Sequence, residues 1–201
     1  MIQFRKTYCM VFILLHSIAF SSCIKDRTFT ISQVPSPIGP GGKNNILPGT
    51  LLVNEILATG STNYNELILP GNPNGGSDWI EVFNTTNDTI LLEAGKWFVS
   101  DSLSNPTKYK LPQSTILPRG FLVIWADGMD TVISQIHTNF SLSKNGEESV
   151  LYYKKSSSNE YVVDQQTFGA QQSAKSFARL PDGSTYWDFS TNPTPGQPNK
   201  Q

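Results

Sequence analysis

Carboxylate side chains are the residues of this chain whose type and placement could support chemistry. Five of them lie at the starts or ends of short apolar segments: Glu55, Asp78, Glu81, Asp101 and Asp127. Because strand ends cluster at the edges of a β-sandwich, several of these carboxylates could meet and bind Ca²⁺ through their oxygens. The competing interpretation is structural: the glutamates would hydrogen-bond to backbone groups or to Arg179, and the aspartates would cap turns.

A carboxylate pair could also perform general acid–base hydrolysis if burial separated the two pKa values. Other catalytic material is scarce, because the chain has only two cysteines and two histidines, and their spacing is not that of a zinc finger. A lone histidine such as His137 is more often a structural hydrogen-bonding residue than a catalytic base. The sequence has no Gly-x-Ser-x-Gly elbow, phosphate-binding Gly-rich Lys loop or His-x-x-x-His pair. These residues favour a non-catalytic protein.

The first 22 residues are organised like a secretory signal peptide. Arg5 and Lys6 form a positive end, and a mainly apolar run of 13 residues follows over positions 8–20. That run is shorter than the ~20 residues that a membrane-spanning helix requires. A signal-anchor helix and a cytosolic N-terminal helix are the competing interpretations.

The segment Phe20-Ser21-Ser22-Cys23 resembles the lipobox of bacterial lipoproteins, although Phe20 stands where leucine is usual. In such proteins the cysteine becomes the acylated first residue. Because Cys9 would leave with the signal peptide, Cys23 would be the only thiol of the mature chain, and acylation explains an unpaired exported cysteine. We therefore predict a lipoprotein held in the bacterial outer membrane by acyl chains, such as palmitate, on Cys23.

Residues 23–47 have the composition of a flexible spacer. They include Pro35, Pro37 and Pro40 followed by two glycines, and they cannot bury a core of their own. Lys25-Asp26 is similar to surface-export signals of Bacteroidota lipoproteins. The domain would therefore stand off the membrane, on either the periplasmic or the cell-surface face.

The charge balance argues against a nucleic-acid partner. Loss of the two basic residues in the signal peptide would leave 13 basic and 16 acidic residues, a net charge of −3. The compact basic groups are Lys108, Lys110, Lys154 and Lys155. On an acidic chain these lysines are interpreted as solvated edge-strand charges that discourage sheet-to-sheet aggregation.

From Pro48 onward, short apolar segments alternate with turn residues, and no long helical period is present. The segments are rich in β-branched and aromatic residues, which suit a half-buried sheet. The pattern predicts an all-β fold, either a sandwich or a barrel. The predicted strands are Leu51–Leu57, Asp78–Asn84, Thr89–Leu92, Lys96–Ser100, Lys108–Leu111, Phe121–Ala126, Ser149–Lys154, Tyr161–Phe168, Ser176–Arg179 and Tyr186–Phe189.

Six sequence motifs occur in order along residues 50–199. They read LVNEI from Leu52, DWIEVFN from Asp78, WFVSD from Trp97, PRGFLVIWADG from Pro118, HTNFSLSKNGE from His137, and SFAR from Ser176 followed by PDG and TNPTPG. This order resembles the lamin-tail domain (LTD) family in its bacterial exported form. The resemblance implies an immunoglobulin-like β-sandwich over residues 48–201, with a loop in the polar insertion 66–76. It also implies a mostly non-catalytic module.

Three sites match the Asp-Ser/Thr-apolar pattern of O-glycosylation in Bacteroidota. Their acceptor residues would be Thr89, Ser102 and Thr131. The competing interpretation is ordinary turn chemistry, in which Asp and Thr begin strands.

These features predict a non-catalytic, lipid-anchored interaction or scaffold module outside the cytoplasm that binds a protein or a glycan. Two alternatives stay open: a metal-dependent hydrolase that cleaves phosphodiesters through strand-end carboxylates, and a nucleic-acid-binding module. A purely structural role is a further possibility. The predicted partners are the lipid membrane and an unidentified protein or glycan, and the one cofactor considered is Ca²⁺.

Overall fold

The computed structural model describes residues 48–60 and 62–201. The predicted signal peptide, Cys23 and the spacer lie outside the described residues. Across the described part, no helix has the length and apolar composition needed to cross a membrane. Its strands are β1 (Leu51–Leu57), β2 (Asp78–Asn84), β3 (Ile90–Leu92), β4 (Trp97–Ser100), β5 (Tyr109–Lys110), β6 (Ser114–Ile116), β7 (Phe121–Ala126), β8 (Thr131–Val132), β9 (Ile136–His137), β10 (Glu147–Ser156), β11 (Asn159–Phe168), β12 (Ser176–Arg179) and β13 (Trp187–Ser190).

The strands form two large sheets and one small sheet. The first large sheet has the order β13-β12-β1-β2-β7-β9-β8, and its β7–β9 pair is parallel. The second has the order β11-β10-β4-β5, and β3 pairs with β6 alone. Side chains from both large sheets share one hydrophobic core, which includes Val53, Ile80, Val99 and Leu151. The predicted immunoglobulin-like β-sandwich is therefore confirmed.

Strand β2 shows why the seven-stranded sheet is covered on both faces. Alternate side chains point in opposite directions, so Ile80 and Val82 enter the core between the sheets. Trp79, Glu81 and Phe83 point to the outer face, yet all three are buried as well. Segments outside the two sheets must therefore cover this outer face.

A β-bulge interrupts β1 at Asn54. Val53 pairs with Val82 and Glu55 pairs with Glu81, so one residue of β1 has no partner of its own on β2. The backbone N–H and C=O of Val53, the residue before the bulge, are hydrogen-bonded to two side chains. Val53 N donates to Asp164 Oδ2 at 2.8 Å, and Arg179 Nε donates to Val53 O at 2.8 Å.

Arg179 and Asp164 also form an ion pair with each other. Arg179 Nη2 lies 3.0 Å from Asp164 Oδ2, and their side chains are only 9% and 17% exposed. Because Asp164 lies on the edge strand β11 and Arg179 on β12, next to the edge strand β13, the pair joins the two large sheets. The bulge thus provides the backbone groups that both charged residues bind.

All ten predicted strands are present, with ends that differ from the predicted ones by at most two residues. Strands β6, β8 and β9 were not predicted. Each has two or three residues, too few for an alternating pattern to be recognised. The expected loop at residues 66–76 is confirmed, with one isolated bridge between Leu69 and Asn72.

We predict that Asp164→Asn lowers the free energy of unfolding by about 3 kcal/mol, because it leaves Arg179 buried without a counter-charge. Urea unfolding monitored by tryptophan fluorescence would measure this. Glu160→Gln is the matched control, since it removes the acid of the Lys154–Glu160 pair, whose side chains are 42% and 30% exposed. The control should leave the midpoint nearly unchanged. Equal effects of the two variants would contradict the proposed role of the Asp164–Arg179 pair.

Candidate functional site

Two of the five predicted carboxylates are direct neighbours on the outer face of the seven-stranded sheet. Glu55 on β1 is in register with Glu81 on β2, and both residues are 0% exposed. The bulge places Asn54 beside them. Asn54 Nδ2 donates to Glu81 Oε1 at 3.1 Å and to Asp182 Oδ1 at 2.9 Å.

The C-terminal segment 191–199 covers this carboxylate pair. Thr194 N donates to Glu55 Oε1 at 3.2 Å, and Gly196 N donates to Glu81 Oε2 at 2.7 Å. Gly196 has a φ of +77°, which favours glycine at this turn. Ser176 Oγ also donates to Glu55. The two glutamates therefore bind a segment of the same chain, and a substrate has no access to them.

Burial dominates the electrostatics of the pair. It raises the pKa of Glu55 to about 7, while hydrogen bonds from Ser176 and Thr194 oppose the shift. Burial, and secondly the charge of Glu55, raises the pKa of Glu81 well above its ordinary value. The donors that reach the pair are amides and hydroxyls rather than cations. Burial favours the neutral carboxyl group, and the hydrogen bonds from these donors oppose it. In either form the two glutamates fasten the C-terminal segment, which agrees with the structural interpretation of these residues.

Asp78 and Asp101 lie in separate surroundings. Asp78 Oδ1 accepts a hydrogen bond from Gly60 N at 2.8 Å, and burial raises the pKa of this carboxyl group. Asp101 Oδ2 lies 2.5 Å from Lys108 Nζ. Each aspartate thus has a local partner, a backbone amide for Asp78 and a lysine for Asp101.

Asp127, the fifth predicted carboxylate, lies close to Glu66 and His137. The sequence did not connect these two residues with it. Its Oδ2 lies 2.7 Å from His137 Nδ1, and its Oδ1 accepts a hydrogen bond from Met129 N at 3.0 Å. Possible ligand atoms of Glu66, Asp127 and His137 all lie within 4.8 Å of one another. No sequence motif links positions 66, 127 and 137, so only the fold reveals this cluster.

The predicted carboxylates do not converge on one point. Within residues 48–60 and 62–201, a group of three or more possible metal ligands is found at Glu66, Asp127 and His137, and it contains one of the five predicted residues. A Ca²⁺ site that uses the others stays a prediction.

An open cleft of about 480 Å³ lies beside β7, β8 and β9. Among the described residues, its lining combines apolar side chains with amides and hydroxyls and includes no Asp, Glu, Lys or Arg. Val132 and Ile133 are 50% and 69% exposed at this site. Other residues of the lining include Tyr64, Ser114, Thr115, Val123, Ser134 and Gln135.

A family model for the Lamin Tail Domain matches residues 47–170. The chain belongs to the Lamin Tail Domain family. The family is one of non-enzymatic, immunoglobulin-like domains, which agrees with the observed sandwich. Among curated proteins, no sequence similar to this chain was found.

The lamin-tail domain continues beyond the matched range. Strand β12 pairs with β1, and β13 pairs with β12, so both belong to the main sheet. The segment that covers Glu55 and Glu81 follows β13. The fold is therefore completed by residues 171–201.

The three predicted O-glycosylation acceptors differ in accessibility on the lamin-tail domain. Thr89 is exposed at the turn before β3. Ser102 is partly buried, with its Oγ 2.8 Å from Ser104 Oγ, and Thr131 Oγ1 donates to Met129 O at 3.0 Å. The geometry suits Thr89 best as an acceptor, and modification at all three positions stays a prediction.

We predict that the lamin-tail domain becomes less stable as pH rises from 5 to 8. The pKa of Glu55 is raised in the folded state from 4.5 to about 7, so its neutral form favours folding. Its contribution is fully present below pH 4.5 and is lost as pH rises through 7, a difference of about 3 kcal/mol. Urea unfolding at a series of pH values would measure the slope.

Glu55→Gln should flatten that slope, because glutamine stays neutral at every pH. Asp88→Asn, which removes one negative charge at an exposed turn, controls for the change in net charge. If Glu55→Gln unfolds with the same pH dependence as the parent chain, the electrostatic description of this pair is wrong.

Proposed function

We propose that this lamin-tail domain protein is a lipid-anchored, non-catalytic interaction module that binds a protein or a glycan outside the cytoplasm. The observation that carries the proposal is the uncharged cleft beside β7, β8 and β9, with Val132 and Ile133 exposed at this site. Cys23 would attach the chain to the membrane, and the Pro/Gly-rich spacer would present the cleft to its partner.

The composition of the cleft supports this class of ligand. Amides and hydroxyls, such as those of Gln113, Thr115 and Ser134, can hydrogen-bond to the hydroxyls of a glycan or to a peptide backbone. Exposed apolar side chains next to them favour burial against a partner. Phosphodiesters and nucleic acids are usually bound through Lys and Arg, and no described residue of these types lines the cleft.

The arrangement of the carboxylates offers little support for the hydrolase alternative. Two of them, Glu55 and Glu81, lie beneath the C-terminal segment. Two others, Asp78 and Asp101, are bound to local partners. A phosphodiester would have to displace one of these partners before it could reach any of these four carboxylates.

We predict that Cys23→Ala moves the protein from the membrane fraction to the soluble fraction, because the acyl chains provide the anchor. Cys9→Ala, inside the predicted signal peptide, is the matched control and should leave fractionation unchanged. Mass spectrometry of the parent protein should show the mass of the acyl groups on the peptide that begins at Cys23. A parent chain without acyl mass would refute the anchor.

We predict that a photo-crosslinking amino acid at Ile133 forms adducts on intact cells, because this side chain is exposed in the cleft. The matched control carries the same amino acid at Val162, which is 38% exposed on β11 of the other large sheet. A second substitution, Ser114→Arg, should block the adducts at Ile133 by placing a charge in the cleft. Equal adducts from positions 133 and 162 would argue against a specific cleft partner.

A further inference from the structure

We propose that Glu66, Asp127 and His137 form a binding site for a divalent transition-metal ion of the zinc type. One nitrogen of the imidazole and one oxygen of each carboxylate lie within 4.8 Å of one another. This set differs from the five carboxylates predicted from the sequence, since it adds a histidine and a residue of the 58–77 loop. The metal site does not depend on which partner binds in the cleft.

The fold brings the three residues together from distant parts of the chain. Asp127 follows β7 directly, and the parallel pairing of β7 with β9 places His137 in register with Trp125. Glu66 approaches from the 58–77 loop, which is tied to the same region by Gln135. The Gln135 side chain bonds to the backbone on both sides of Glu66, with Nε2 donating to Asn65 O at 2.8 Å and Oε1 accepting from Leu67 N.

The histidine supplies an observation of its own. Its side chain is 1% exposed, and its Nδ1 lies 2.7 Å from Asp127 Oδ2. Its Nε2 is buried with no hydrogen-bond partner among the described residues. Buried polar atoms are normally partnered, so an unsatisfied nitrogen requires an explanation. An imidazole with spare bonding capacity beside two carboxylates is a common donor set for a divalent ion.

The carboxylate of Glu66 is oriented by its neighbours in the way that metal ligands usually are. Its Oε1 accepts hydrogen bonds from Asn72 Nδ2 at 3.0 Å and from Ser77 Oγ at 2.6 Å, and its Oε2 accepts from Ser77 N at 2.9 Å. A carboxylate offers about four lone-pair sites, so capacity for an ion remains after these three bonds. The side chain is held in place without using all of its acceptor capacity.

The donor set decides the class of ion. Zinc binds imidazole nitrogen and carboxylate oxygen at about 2.0–2.2 Å, whereas calcium prefers six to eight oxygen ligands. Two carboxylates together with a neutral imidazole also balance the charge of one divalent ion. Closing the three donors around zinc requires them to approach one another from separations of up to 4.8 Å.

Metal binding here would stiffen one wall of the cleft. Glu66 is the next residue after Asn65, and His137 is the next after Ile136, and both of these neighbours line the cleft. An ion held by Glu66, Asp127 and His137 would fasten the 58–77 loop to β7 and β9 at this place. The ion would therefore act as a structural clamp beside the cleft.

The test uses the full chain without an added histidine tag, in detergent, with Cys9→Ser and Cys23→Ser so that no thiol competes for metal. Titration with Co²⁺ should give a visible ligand-field absorption that saturates at one ion per chain. Zn²⁺ should raise the thermal midpoint over that in EDTA by about 5 °C. Absence of both effects in this chain overturns the proposal, whatever any variant does.

Variants then locate the site. Glu66→Gln is nearly isosteric and should keep the midpoint in EDTA within a few degrees while losing most of the Zn²⁺ and Co²⁺ responses. Asp127→Asn should behave in the same way. Asp101→Asn, outside the cluster, is the matched control and should respond like the parent. The assignment is overturned if both Glu66→Gln and Asp127→Asn keep the metal responses. It is also overturned if the thermal midpoint rises with Ca²⁺ but not with Zn²⁺.

Discussion

The β-bulge at Asn54 is the constraint on which the rest of the sandwich depends. In a regular strand, neighbouring side chains point to opposite faces of the sheet. The bulge instead places the side chains of Asn54 and Glu55 together on the outer face, next to Glu81. It also leaves the backbone of Val53 to be bound by Asp164 and Arg179. One additional residue in β1 therefore contributes to the polar cluster under the C-terminal segment and to the backbone contacts of the ion pair that joins β11 of one large sheet to β12 of the other.

The polar cluster explains why the most suggestive carboxylates of the sequence have a structural role. Glu55 and Glu81 are buried side by side with no cation among the groups that bond to them, so desolvation favours their neutral forms. The backbone amides of Thr194 and Gly196 donate to these carboxyl oxygens, and the hydrogen bonds partly offset the cost of desolvation. In a sandwich whose sheet is buried on both faces, such hydrogen bonds allow an irregular segment to cover the outer face.

The sequence was informative wherever the signal was local. Alternation of apolar residues identified long strands such as Asp78–Asn84, and the order of motifs indicated the family. It could not show the pairing of β7 with β9, because two-residue strands have no period and are specified by tertiary contacts. For the same reason the meeting of Glu66 with Asp127 and His137 was not predictable. These residues are separated by up to 71 positions, and the loop that carries Glu66 has no motif of its own.

The features linked to recognition lie around β7, β8 and β9, at one end of the seven-stranded sheet. Strands β8 and β9 have two residues each, so the ladder contributes few hydrogen bonds there. Burial supplies the order instead, since Ile136, His137 and Thr138 are at most 6% exposed. The 58–77 loop packs at the same place, where Gln135 and the cluster around His137 contact it. Pro195 of the C-terminal segment also lines the cleft, so the segment that covers Glu55 and Glu81 reaches the proposed binding surface.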